Sequence, residues 1–212
     1  IAGDAVHDDG QRSRVWPIYW DMYFKLERER NLMIPTIMCF GNHDGRVYNT
    51  DGTFKSLLWV TGGATKDDVL FAYNFFSNLN DLGYGVIDIS NYLSLVFLNS
   101  GHTETVFGTQ TTWLQSILSQ RTGRHIFPFM HVAPYTGHYS YTNAVSRDMR
   151  DLWTPLFKQY GVKVAGCGHE HVHLVTKKVL GDNLDDSGIV FIGQGHGMGN
   201  VTRETHVPLD TW

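Results

Sequence analysis

The sequence predicts an α/β fold in which two packed β-sheets are flanked by helices. Amphipathic stretches with helical spacing alternate with short apolar runs typical of buried strands. A group of β-rich runs separated by Asn, Asp and Gly predicts an antiparallel meander. No internal repeat, low-complexity tract or linker interrupts the chain, so we expect residues 1–212 to form one domain.

The composition excludes several classes of protein. Hydrophobic residues make up 42% of the chain and aromatic residues 13%, which indicates a packed core and not a disordered chain. The formal net charge of -4, without long runs of either sign, argues against a nucleic-acid groove or a polybasic membrane surface. No apolar stretch reaches the roughly 20 residues that a membrane-spanning helix needs.

The N-terminal part of the chain predicts four elements. Ile1 to Asp4 resembles the end of a strand whose body is missing, so we expect the domain to be incomplete at its N-terminus. Residues 13–31 carry apolar side chains at helical spacing and predict an amphipathic helix with Pro17 in its first turn. Pro35 to Phe40 predicts a strand buried on both faces. Residues 46–69 predict a long loop with a short helix near residues 54–60.

The remaining elements follow in a regular order. The predicted meander comprises residues 71–76, 84–89 and 92–98. Two amphipathic helices are predicted over residues 111–120 and 146–160, each with an apolar face. Further strands are predicted over residues 125–130, 162–165, 172–179 and 189–192. The two cysteines, Cys39 and Cys167, fall in predicted strands and are expected to be buried free thiols, although a disulfide is not decided by sequence.

Short polar motifs follow the predicted strand ends. In layered α/β folds, loops beyond the carboxyl ends of the strands converge at one rim and build the ligand site. A strand fixes the backbone before each motif, and glycine allows the sharp turn that follows it. The motifs are Gly3-Asp4, Gly41-Asn42-His43-Asp44, His131 and Gly168-His169-Glu170-His171.

The residue types in these motifs predict a centre with two metal ions. The Asp4 carboxylate has two oxygens and can bridge two ions, while the Asn42 amide and the histidine rings complete the coordination. The donor set suits divalent or trivalent Fe, Zn or Mn. Such a pair of ions clamps a phosphoryl group and generates hydroxide near neutral pH. His43 is better suited to donate a proton than to bind metal, and Asp44 can orient its ring or hold its charge.

Each motif alone is weak, and the combination carries the prediction. Gly-Asp is most often a turn, a single histidine after a strand is most often structural, and two alternating histidines can lie on a solvated strand face. A given four-letter string such as Gly-Asn-His-Asp occurs by chance in roughly one chain in a thousand of this length. Four motifs in order, each at a strand end, favour a shared metal site.

On these residues the chain resembles the calcineurin-like metallophosphoesterase superfamily, and within it the purple acid phosphatase branch. The similarity includes Pro134-Tyr135 after His131, and it extends over nearly the whole chain. It implies a four-layer α/β/β/α sandwich with a dinuclear metal site at the carboxyl ends of the strands. It further implies hydrolysis of a small-molecule phosphomonoester or phosphodiester, and it favours a secreted location.

The resemblance also implies a role for each matching residue. Asp4 would bridge the two ions, and His171 would bind the first. Three residues would bind the second ion, namely Asn42, His131 and His169. His43 would contact the phosphate and assist the leaving group, and His138 resembles a substrate-facing histidine.

Two departures from the family pattern bear on activity. The Asp-x-His or Asp-x-Gly motif that precedes Gly-Asp in the family is absent from this chain. His7 stands where purple acid phosphatases carry a tyrosine that binds iron, and we expect His7 to be a metal ligand without the tyrosinate colour. These departures leave two alternatives open: a non-catalytic binding or structural module, and a phosphate- or nucleotide-sensing domain of a larger assembly. The oligomeric state is not predicted.

Overall fold

A computed structural model shows how the chain folds. It describes residues 3–5, 17, 21, 25, 29, 37–45, 47–48, 50–51, 53–55, 65–69, 73–74, 78–138 and 141–193.

The centre of the fold is a mixed β-sheet of six strands. A two-stranded antiparallel hairpin, β1 (Val47–Tyr48) and β2 (Phe54–Lys55), precedes it. The strands of the sheet, in chain order, are β3 (Gly85–Ile89), β4 (Leu93–Leu98), β5 (His125–Met130), β6 (Val164–Cys167), β7 (Leu174–Val175) and β10 (Val190–Gly193). A second hairpin, β8 (Val179–Leu180) and β9 (Asn183–Leu184), lies between β7 and β10 in sequence.

The strand order β3-β4-β5-β6-β10-β7 brings the motifs to one edge. Strands β4, β5, β6 and β10 are parallel neighbours at the centre of the sheet. The pairs at its two edges, β3 with β4 and β7 with β10, are antiparallel. β5 pairs with β4 from Leu93↔His125 to Leu98↔Met130, and it meets β6 at Phe129↔Gly166. Because β5 and β6 are parallel neighbours, the residues that follow them emerge side by side.

Two helices pack against the sheet through apolar faces. Helix α1 (Thr109–Ser119) buries Leu114 and Leu118, and helix α2 (Ala144–Gln159) buries Trp153 and Phe157. These side chains form one core with alternate residues of the strands, among them Val96, Leu98, Ile126, Met130, Ala165 and Phe191. Trp153 Nε1 donates to Thr111 Oγ1 at 3.0 Å, so the core also joins the two helices through a buried hydrogen bond.

Helix α2 begins at a side-chain cap. The Asn143 side-chain oxygen accepts hydrogen bonds from Val145 N at 3.0 Å and Ser146 N at 3.4 Å. Such a cap satisfies amide groups that have no partner within the first turn of a helix.

The prediction of an α/β fold with a central sheet and helices is confirmed. Both helices and strand β5 lie within two residues of the predicted bounds. The described residues within the predicted N-terminal helix, Pro17, Asp21, Lys25 and Glu29, are helical and exposed. The described part of the chain contains one large sheet and two hairpins, so the four-layer sandwich stays a prediction.

The predicted strand over residues 35–40 is wrong for its described part. Ile37 to Phe40 has no strand assignment, although Met38, Cys39 and Phe40 are fully buried. The side chain of Asn78 takes the place of a neighbouring strand, because it accepts from Met38 N at 3.4 Å and donates to Met38 O at 2.9 Å. The apolar character of residues 37–40 therefore indicates burial and not pairing in a sheet.

Three further strand and helix predictions need correction. Tyr73 and Asn74, the described residues of the first predicted run of the meander, are helical. The second and third runs pair as β3 and β4. The predicted strand over residues 172–179 is broken into β7 and the start of β8. Phe54 and Lys55, predicted to start a short helix, belong to β2, and residues 56–60 lie outside the described residues.

The two cysteines are buried free thiols, as predicted. Burial raises the pKa of Cys39 and of Cys167 to about 12, so both remain protonated at neutral pH. Within the described residues, no helix combines the length and the apolar character needed to cross a bilayer.

The ion pair between β3 and the end of α1 predicts a pH-dependent stability. Arg121 donates to both carboxylate oxygens of Asp88, each at 3.0 Å. Hydrogen bonds from Arg121 and Ser94 hold the pKa of Asp88 below its usual value. The stabilisation is therefore complete above the ordinary carboxyl pKa of about 4 and is lost as the pH falls through the lower pKa of the folded protein.

We expect Asp88→Asn to lower the free energy of unfolding at pH 7 by at most about 1 kcal/mol, because exposed ion pairs are screened by solvent. The Asp88 side chain is 36% exposed. Urea unfolding should show this difference shrinking as the pH approaches about 3. The exposed Asp186→Asn variant is the control, and a deficit that is equal at all pH values would contradict the interpretation.

Candidate metal centre

Four polar side chains from distant loops meet at one nitrogen of His131. Its Nε2 atom lies 3.2 Å from Asp4 Oδ2, 2.9 Å from Asn42 Oδ1 and 3.2 Å from His169 Nδ1. The ligand atoms of Asp4, His131 and His169 all lie within 4.8 Å of one another. We call these four side chains the donor cluster.

The sheet positions the two histidines of the donor cluster. His131 directly follows β5, and Gly168-His169 directly follows β6, the parallel neighbour. Gly168 N donates to His131 O at 2.8 Å, so the two segments remain hydrogen-bonded one residue beyond the ends of β5 and β6. The ring centroids of His131 and His169 are therefore only 5.0 Å apart.

The buried carboxylate of Asp44 joins the Gly3-Asp4 motif to its own motif, Gly41-Asn42-His43-Asp44. Its Oδ2 atom accepts from Asp4 N at 2.8 Å and from Gly41 N at 2.9 Å. In return, Asp4 Oδ1 accepts from His43 N at 2.7 Å. Asp44 is fully buried, and these contacts make it a positioning residue for the Gly3-Asp4 loop. Its predicted catalytic role beside the His43 ring stays a prediction.

Gly3 and Gly41 allow these loops to approach closely. A Cβ atom at Gly3 would lie 2.4 Å from His131 Nδ1, and one at Gly41 would lie 2.2 Å from Asp4 N. Gly3 also has a φ of +83°, which L side chains rarely adopt. No side chain larger than hydrogen fits between the loops without moving a member of the donor cluster.

Three motif residues other than glycine have a left-handed backbone. The φ angles are 53° for Asp4, 68° for His169 and 56° for His171. This region is uncommon outside glycine and costs on the order of 1–3 kcal/mol per residue. Contacts with the surrounding structure must hold these three residues in this unfavourable conformation. Such strain is typical of functional sites.

The local charges favour an ionised Asp4. Burial alone would raise the pKa of Asp4, but attraction and a hydrogen bond from His131, together with attraction from His43, outweigh it and hold that pKa well below its usual value. Asp4 therefore presents a negative charge to the ring nitrogens at neutral pH.

The donor cluster fits a transition-metal cation. An ionised carboxylate only accepts hydrogen bonds, and each imidazole nitrogen carries at most one proton. Hydrogen bonding therefore satisfies only part of a group in which Asp4, Asn42, His131 and His169 converge. A cation would be shared by all four, and carboxylate, amide and imidazole together suit Fe, Zn or Mn.

The other predicted site residues lie around the donor cluster. His43 is half-buried on the loop of Asn42, and His171 is half-buried two residues after His169. His138 is half-buried after the buried segment 132–137. His7, the predicted replacement for an iron-binding tyrosine, lies outside the described residues. Metal binding by His7 and His171, and the catalytic roles of His43 and His138, stay predictions.

Sequence reasoning missed His102, which lies behind the donor cluster. The side chain is fully buried, and its ring centroid is 5.4 Å from that of His131. Ser100 Oγ contacts His102 Nε2 at 3.2 Å and accepts from Val132 N at 3.0 Å. Burial lowers the pKa of His102 well below its usual value, so the ring is neutral. Its place just after β4 was the available signal, since β4 is the parallel neighbour of β5.

Comparison with known proteins finds similarity to phosphoesterases. A family model described as calcineurin-like phosphoesterase matches residues 1–173. Purple acid phosphatase 23 of Arabidopsis thaliana is 24% identical over 194 residues, which cover 87% of this chain and 38% of that protein.

Two solved structures resemble the fold. The purple acid phosphatase PPD1 from yellow lupin (Lupinus luteus) seeds superposes with a TM-score of 0.61 at 15% identity, over 84% of this chain and 34% of that chain. A dimetal phosphatase from Danio rerio superposes with a TM-score of 0.51 at 11% identity, over 88% of this chain and 69% of that chain. The chain thus spans little more than a third of the plant relatives' length.

Because Gly3 lies against His131, adding a single methyl group at position 3 should affect metal affinity. We expect Gly3→Ala to weaken the binding of Mn or Zn at least about tenfold, because the added Cβ displaces His131. Gly123→Ala is the matched control, since Gly123 has a φ of +86° but open space around its Cβ position.

Both variants should lose about 1–2 kcal/mol from backbone strain. Only Gly3→Ala should lose metal affinity as well. Isothermal titration calorimetry measures the affinity and chemical unfolding the stability. Equal metal affinity of the two variants would show that the contact with His131 is unimportant.

Proposed function

Because the chain belongs to the calcineurin-like phosphoesterase family, we propose that it hydrolyses phosphoesters with the help of metal ions. The observation that carries the proposal is the convergence of four separate loops at His131 Nε2. Hydrogen bonding satisfies only part of such a convergence of acceptors and ring nitrogens, whereas a metal-dependent hydrolase uses donors of these types to hold its ions.

The finer proposal is a dinuclear, acid phosphatase-like enzyme. The names of the plant and fish relatives, a purple acid phosphatase and a dimetal phosphatase, support it. Six residues would hold two ions of Fe, Zn or Mn, namely Asp4, His7, Asn42, His131, His169 and His171. When bound, these ions would polarise the phosphoryl group and lower the pKa of water to provide the nucleophile.

The residues of the chain would bind, orient and transfer a proton. Asp4, Asn42 and His131 would fix the position of the reacting centre through the contacts described above. His43 follows Asn42 on a loop whose backbone is held by Asp4 Oδ1, so its ring would donate a proton to the leaving oxygen at a fixed place. His138 would face the substrate from the loop after His131. The proposed substrate is a small phosphomonoester or phosphodiester.

Metal content and hydrolysis test the proposal directly. We expect the purified protein to contain close to two transition-metal ions per chain by inductively coupled plasma mass spectrometry, and to hydrolyse an aryl phosphate. A chelator should abolish the activity, and Fe, Zn or Mn should restore it. Metal content near zero after reconstitution would contradict the proposal.

A substitution at His43 separates an enzyme from a binding module. We expect His43→Ala to lower kcat by about 10²–10⁴-fold, because general acid catalysis is lost, while metal content is retained. His125→Ala is the control, since this exposed histidine begins the strand that His131 follows. If aryl phosphate hydrolysis is the same in both variants, the chain is a non-catalytic module or His43 has no catalytic role.

A further inference from the structure

We propose that Glu170 is a positioning residue that locks the segment of His138 onto the metal-binding loop. This inference rests on the proposed function for its consequence in catalysis, but its structural basis is independent. Glu170 lies between His169 and His171 in sequence, yet its side chain is only 1% exposed. A buried carboxylate in a proposed metal-binding motif requires partners, because an isolated buried charge is costly.

The partners of Glu170 are backbone amides of the His138 segment, by which we mean residues 132–138. Glu170 Oε2 accepts from Gly137 N at 2.9 Å and from His138 N at 2.6 Å. Both hydrogen bonds lie in a buried setting, where a hydrogen bond is stronger than in water. One oxygen therefore fixes the backbone on which the His138 ring is carried.

Helix α2 holds the same segment from the opposite side. Ser146 Oγ donates to Ala133 O at 2.8 Å, and Arg150 Nη1 donates to Pro134 O at 2.7 Å. Arg150 Nη2 also donates to Tyr141 O at 2.9 Å, three residues beyond the segment. Both Ser146 and Arg150 are buried. Carbonyl groups are thus held by α2 and amide groups by Glu170, which leaves the segment little freedom to shift.

The backbone of the metal-binding loop gives Glu170 its direction. His169 and His171, with φ angles of 68° and 56°, flank Glu170 on both sides. This unusual alternation lets the two half-buried histidines and the buried Glu170 take different directions within three residues. The hydrogen bonds of Glu170 to the His138 segment favour the strained conformation over relaxed alternatives. One side chain therefore couples the ligand histidines to the substrate-facing histidine.

A graded series of variants tests this role. Glu170→Gln keeps the shape and an acceptor oxygen but loses the charge, whereas Glu170→Ala loses the acceptor. We expect kcat/KM for an aryl phosphate to fall roughly 10–100-fold in Glu170→Ala, with Glu170→Gln intermediate. Glu29→Gln, at an exposed helical position, is the matched control and should equal wild type.

A double-mutant cycle separates positioning of His138 from general damage. If Glu170 acts through His138, Glu170→Gln should cost less than about twofold in a His138→Ala background. Metal content should stay at the wild-type level in the Gln variant. Full additivity of the two substitutions, or a Glu170→Ala variant as active as wild type, would overturn the proposal.

Amide hydrogen exchange tests the contact without any reference to activity. In Glu170→Gln the amides of Gly137 and His138 should exchange faster, while that of Val132, which Ser100 Oγ holds, should not change. Unchanged exchange at both amides would overturn the proposal even in an active enzyme. If wild-type protein loaded with metal hydrolyses no phosphoester, the proposed function and the catalytic role of Glu170 fail together, and the exchange experiment still decides the structural contact.

Discussion

The requirement that four loops meet at one imidazole nitrogen governs the rest of this structure. His131 stands at the end of a central strand, so the sheet fixes its backbone, and the other loops must reach it. Glycine is needed at positions 3 and 41 because a Cβ atom would strike His131 or Asp4. The backbone of Asp4 and His169 is left-handed because their side chains must turn back toward the same point. Local strain and the lack of side chains at the glycines are consequences of this single geometric requirement.

The carboxylates of the motifs divide into two kinds with different tasks. Asp4 faces the ring nitrogens, whereas Asp44 and Glu170 are buried and accept hydrogen bonds from backbone amides of another loop. Asp44 also accepts from Gly41 N within its own motif. Asp44 joins the loops of the first two motifs, and Glu170 joins those of the last two. Each stabilises a contact between segments more than 30 residues apart in sequence. The motifs therefore contain the residues that hold them in place, since buried Asp44 and Glu170 join the loops that carry the donor residues.

The fold and the donor cluster could be predicted from sequence where a residue's neighbours along the chain determine its place. Helical periodicity located α1 and α2, and polar residues after apolar runs located Asp4, Asn42, His131 and His169. The errors arose where tertiary contacts decided the outcome. Residues 37–40 read as a strand because they are apolar, but an Asn78 side chain occupies the position of a neighbouring strand. The buried directions of Asp44 and Glu170, and the place of His102 under His131, depend on partners that no local pattern reveals.

The loops that carry the donor cluster are joined by hydrogen bonds that do not involve a cation. Attraction from His131 and His43 holds the pKa of Asp4 well below its usual value, and burial lowers the pKa of His102. At neutral pH the neighbours of His131 therefore add a negative charge from Asp4 and no positive charge from His102, which favours a cation near Nε2. Repulsion among the remaining lone pairs would open a cluster built on free loops. Here Asp44 accepts hydrogen bonds from the amides of Asp4 and Gly41, and Gly168 N donates to His131 O just beyond β5. A cation would thus meet donors already in place, and the conformational free energy of assembling them would be supplied by folding and not by binding.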